Sequence, residues 1–133
     1  MNGSRWIFAV VAALSVAVGC SNDSTSAVAQ PGTLSLRLTT PQADDGAMTF
    51  AVSGPPIDNA TAVDVSLRLF TRQADGATLV GAVVGTLTSG AVVTLQVPDV
   101  GAAARYTARV VEVADRQNVL RASLAGYALT VAP

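Results

Sequence analysis

The stretch TLSLRLT, residues 33–39, alternates without a fault, with Leu34, Leu36 and Leu38 on one side and Ser35 and Arg37 on the other. A period of two sets every second side chain on the same face of an extended chain, so these residues read as a strand with one buried face. Pro41–Gly46 (PQADDG) follows as a cluster of turn formers. Met48, Phe50 and Val52 repeat the alternation and stop at Ser53-Gly54-Pro55-Pro56. Ala62–Arg72 (AVDVSLRLFTR) predicts a third strand, with Val63, Val65, Leu67 and Leu69 inward and Asp64, Ser66 and Arg68 outward.

Further along, Asp75-Gly76 is a strong two-residue hairpin signal. It leads into strands at about Thr78–Leu87 and Ala91–Val97, joined at Thr88-Ser89-Gly90. The run Thr78–Val97 carries no charge, and Gly81 and Gly85 have the small-xxx-small spacing of membrane helices. Its glycines, threonines and central turn break it into two strand-length pieces, so a buried hairpin is the expectation. After a turn at Pro98–Gly101, Arg105–Ala114 reads as a strand whose alternation slips at Val110-Val111, as a bulge would make it. Val119–Val131 pairs back through a turn at Asp115–Asn118, with Gly126 as a second irregularity. Leu120 and Leu124, four apart, also fit a short helix over residues 119–125 capped by Asp115. Seven short antiparallel strands over residues 33–133, with no sustained helical period, predict an all-β chain folded as one β-sandwich.

Leu95-Gln96-Val97-Pro98 and Arg105-Tyr106-Thr107-Ala108-Arg109-Val110 together resemble the pattern before and in the sixth strand of fibronectin type III and related Ig-like domains. The resemblance implies that Tyr106 is a tyrosine-corner residue, its hydroxyl bonded to nearby backbone. The strand tryptophan of those families is missing, since Trp6 lies in the N-terminal apolar run.

Residues 1–19 have the build of an export signal, with one arginine near the start and then the apolar run Trp6–Val18. A helix of that run rises about 20 Å, short of a bilayer core of about 30 Å. Ala17-Val18-Gly19-Cys20 resembles the bacterial lipobox, with Gly19 and Cys20 at its two most restrictive positions and Ala17 where leucine is preferred. The resemblance implies a lipidated Cys20 as the mature first residue, anchoring the chain to a membrane; several acyl chains hold where one does not. Ser21 after the cysteine implies delivery to the outer membrane. Ala27-Val28-Ala29 offers the alternative of cleavage before Gln30 and simple secretion. Residues 20–32 (CSNDSTSAVAQPG) are too polar to pack and read as a tether.

The inventory of side chains excludes more than it offers. Among 133 residues there is no histidine and a single cysteine, and all eight basic residues are arginine. No Ser-His-Asp triad, Cys-His pair, Schiff-base lysine, P-loop or intrachain disulfide can be built from that set. With 13% charged residues and a net charge of −1, nothing resembles the basic stripe that nucleic acid requires. No cofactor and no metal site are expected. The acidic turns Asp44-Asp45-Gly46 and Asp58-Asn59 lack calcium-loop spacing. Alternation leaves Phe70 as the one outward aromatic of the domain, thin support for a glycan platform. If Thr78–Leu87 is an edge strand, Val80, Val83 and Val84 lie on an edge with no charge or proline to block pairing with a partner or a second copy. The expectation is a non-catalytic, lipid-anchored envelope protein acting as a structural or protein-interaction module, with a small module for envelope glycan or calcium as the alternative.

Overall fold

The computed structural model describes residues 27–133. Eight strands build two four-stranded antiparallel sheets, one more strand than the sequence suggests. They are β1 (Gly32–Thr39), β2 (Asp45–Ser53), β3 (Asn59–Ala62), β4 (Arg68–Asp75), β5 (Thr78–Leu87), β6 (Gly90–Val97), β7 (Thr107–Asp115) and β8 (Ala128–Ala132). One sheet has the order β3-β6-β1-β8 and the other β4-β5-β2-β7. Among the described residues no helix is long and apolar enough to cross a membrane.

The alternation of β1 and β2 is realised as read. Leu34, Leu36 and Leu38 from one sheet and Met48, Phe50 and Val52 from the other are buried against each other. Val83, Leu87, Val93, Leu95, Val97 and Val113 complete the layer between the sheets. Full burial of each such side chain contributes about 1.5–3 kcal/mol. The slip at Val110-Val111 is a bulge: Thr49 faces Glu112 and Phe50 faces Val110, leaving Val111 unpaired.

The pairs β2–β5, β4–β5 and β3–β6 are those that join the inner strands of an immunoglobulin domain. The outer positions are exchanged. β7 stands beside β2, where that family has its first strand; β1 stands beside β6, where the family has its seventh; β8 is added outside β1.

Four expectations are corrected. Ala62–Arg72 is not one strand. It breaks at residues 63–67, where the Asp64 carboxylate accepts from Ser66 N at 2.8 Å and the Asp64 carbonyl from Leu67 N at 3.0 Å. The local Asx bond lets the chain pass from the β3 sheet to the β4 sheet, and Val63 and Val65 end up exposed. β5 and β6 form no hairpin, because residues 88–89 carry the chain between sheets. β5 is no edge: it is bonded to β4 on one side and β2 on the other. Residues 119–125 are neither strand nor helix beyond a single bridge from Leu120 to Ala114. The hairpin signalled by Asp75-Gly76 does form, between β4 and β5, with its two-residue turn one place later at Gly76-Ala77.

Candidate functional site

Antiparallel partners point to the same side, so the register of the β4-β5-β2-β7 sheet fixes its outer face row by row. The first row is Arg68, Val84, Ala47 and Ala114; the second is Phe70, Ala82, Thr49 and Glu112; the third is Arg72, Val80, Ala51 and Arg109. In these rows the two middle strands present only valine, alanine and threonine; the row beyond is Asp75, Thr78, Ser53 and Thr107. The taller side chains stand on the outer strands, Phe70 and Arg72 on β4 and the bulged Val111 on β7. Between them lies an open groove of about 370 Å³.

The floor of the groove depends on a contact made from below. Phe50 points into the core opposite Gly81, and a Cβ at position 81 would sit 2.4 Å from its ring. The glycine therefore lets the ring lie across β5. Above, Phe70 is 61% exposed and unsupported by the core. The Thr49 hydroxyl is buried in the floor with no hydrogen-bond partner among the described residues, where a hydroxyl ordinarily has one.

A second polar feature occupies the end of the sandwich where β2 begins. Asp45 is fully buried. Its carboxylate accepts from Arg121 Nε at 3.0 Å and Nη2 at 2.8 Å, from the Tyr127 hydroxyl at 2.9 and 3.0 Å, and from the Thr40 hydroxyl. Burial works against the charged carboxylate, but the bonds from Thr40, Arg121 and Tyr127 and the charge of Arg121 outweigh it and hold Asp45 below its ordinary value. Arg121 also pairs with Asp44. Burial and the bond to Asp45 push the Tyr127 hydroxyl up. Both oxygens of Asp45 are taken by protein donors, so Asp44-Asp45-Gly46 is a structural junction and does not fit a calcium loop, which must leave carboxylate oxygens free. In the other acidic turn, Asp58 N donates to the Gln96 carbonyl at 2.8 Å and Asn59 opens β3.

The remaining residues singled out in the sequence fall in different places. Ala17, Val18, Gly19 and Cys20 lie outside the described residues. Val83 is fully buried, while Val80 and Val84 belong to the outer face of an interior strand, so no edge contact can form through them. Tyr106 is buried and its hydroxyl donates to the Pro56 carbonyl at 2.8 Å. That acceptor lies 50 residues upstream, so the bond ties the strand to the β2–β3 connection instead of closing a local corner. Phe70 is outward as alternation predicts.

Reading single strands missed Arg72, Arg109, Thr49 and Val111 as neighbours on one face. The signal was there in the outward residues of β2 and β5, which are uniformly small and uncharged. For a saccharide the groove is poorly equipped, with one ring on its wall and the Thr49 hydroxyl of its floor buried. No family model, curated protein or solved structure matches the chain.

Proposed function

We propose that the chain is a non-catalytic, lipid-anchored envelope protein whose Ig-like sandwich is a protein-interaction module. It presents the outer face of the β4-β5-β2-β7 sheet in place of the β5 edge. The observation that carries this reading is the exposed Phe70 on the wall of an apolar groove, since a large aromatic on an open sheet face is the kind of anchor on which interfaces are built. The missing histidine and lysine support a role without catalysis. The Val18-Gly19-Cys20 junction supports anchoring through Cys20, and Ser21 supports outer-membrane delivery.

Two measurements test it. A photo-crosslinking amino acid placed at position 70 in cells gives a discrete protein adduct, whereas the same residue at position 37, exposed on the opposite sheet, gives none. No adduct from position 70, or equal adducts from both, overturns the interaction role. The intact mass of protein from native membranes corresponds to an acylated Cys20 start; an unmodified Gln30 start overturns the anchor.

A further inference from the structure

From the same face, and resting on the interaction reading above, we infer the chemistry of the partner: an acidic polypeptide segment that lays apolar side chains into the groove. Arg68 and Arg72 on β4 and Arg109 on β7 all stand on this face, against two carboxylates, Glu112 and Asp75, the latter already accepting from Ala77 N at 2.8 Å. None of the three arginines has a carboxylate within 4.0 Å among the described residues. The protein as a whole is weakly acidic, with a net charge of −1. Its other described carboxylates sit in turns, at strand ends or in the Asp45 junction. Three of the seven described arginines thus stand on the face that also carries the exposed aromatic, and they leave that face net positive in a weakly acidic chain.

The groove settles what kind of anion fits. Arg72 and Arg109 end the same row, three strand spacings apart or about 14 Å, with Val80 and Ala51 between them. A ligand that reaches both guanidinium groups must cross an apolar floor. A saccharide seated in the groove would set its hydroxyls over Val80, Ala82 and the buried Thr49 hydroxyl, away from the guanidinium groups at the ends of the row, and burying unpaired polar groups is costly. A peptide with alternating acidic and apolar side chains places carboxylates on the arginines, where bidentate bonds form, and its apolar side chains against Phe70, Val80, Ala82 and Val111. A second copy of this chain would bring the same arginines to the contact, and like charges oppose it.

The test uses the full chain in nanodiscs of zwitterionic lipid, with empty nanodiscs as blank. Fluorescence anisotropy is read with short labelled peptides of alternating Glu and Leu, Lys and Leu, or Glu and Ser. The Glu-Leu peptide binds at least about tenfold tighter than either other, and weakens as salt rises because exposed charges are screened. Phe70→Ser and Arg72→Glu each weaken it about tenfold, while Arg37→Glu on the opposite sheet leaves it within about twofold. Equal binding of the Lys-Leu peptide, or indifference to Phe70→Ser and Arg72→Glu, overturns the inference. So does binding of trigalacturonate in place of the peptide, which would assign the face to an anionic saccharide. A crosslink from position 70 together with failed peptide binding removes this inference and leaves the interaction role standing; absence of both removes both.

Discussion

Arg121 reaches Asp45 across 76 residues of sequence and donates to a single carboxylate oxygen from both Nε and Nη2. The pair fastens the irregular segment between β7 and β8 to the first residue of β2. A buried carboxylate with this many donors is stable only while all of them are present.

Asp45→Asn keeps the shape of the side chain but removes the charge that Thr40, Arg121 and Tyr127 address. The expected loss is about 1.5–3 kcal/mol, the range for hydrogen bonds to an ionised group. The urea midpoint measures it. An unchanged midpoint would show that the junction is decorative.

The same group sets an acid limit on stability. Asp45 is more acidic in the folded chain than in the unfolded one, so below neutrality the unfolded state binds the proton first. Its contribution is complete above the ordinary aspartate range, near about pH 4, and is lost as pH falls through that range toward the depressed folded value. The wild-type urea midpoint should therefore drop more steeply between pH 5 and pH 3 than that of Asp45→Asn. Parallel curves would contradict the assignment.

Gly81→Ala places a methyl 2.4 Å from the Phe50 ring and 3.1 Å from the Phe70 carbonyl. Forced overpacking costs about 1–3 kcal/mol. In a Phe50→Leu background the same substitution costs less, because the ring that obstructs it is gone. The double-mutant cycle gives a favourable coupling of about 0.5–3 kcal/mol; simple additivity would mean that the ring moves aside freely.

Thr49→Val removes the buried hydroxyl that has no partner. The shape is preserved, and an unpaired polar group is replaced by an apolar one, so the thermal midpoint stays level or rises by the equivalent of up to about 1 kcal/mol. A clear fall would show that the hydroxyl holds a bond through solvent.

Tyr106→Phe deletes the bond to the Pro56 carbonyl and nothing else in the ring's packing. The expected cost is about 1 kcal/mol by denaturant titration. A negligible cost would mean that the β2–β3 connection does not depend on this tie.

The legible part of the fold is what periodicity encodes. Leu34–Leu38 and Met48–Val52 declare a buried face, Asp75-Gly76 a hairpin, and the slip at Val110-Val111 a bulge, because each is written in neighbouring residues. Alternation does not say which of two sheets a strand joins. The same pattern in Ala62–Arg72 served two strands in opposite sheets, with Asp64 providing the break through a bond to its own neighbour Ser66. β3 (NATA) is too short and polar to announce itself. The Val100–Arg105 3₁₀ turn, begun by the Asp99 carboxylate accepting from Gly101 N, replaces what looks like a plain loop entering β7. The candidate face was hidden for a related reason. Phe70 was visible as one outward ring, but Arg72 and Arg109 become neighbours only once β5 and β2 are inserted between them.

β1 is paired along both sides, antiparallel to β6 and to β8. Just ahead of it, the Gln30 carbonyl accepts from Val100 N, and Gln30 N donates to the Asp99 carboxylate. A pull applied at residue 32 along the strand therefore loads two ladders together, in shear, and cannot peel them apart one bond at a time. The strand next to the chain's N-terminal segment is thus held in shear against any force drawn through that segment.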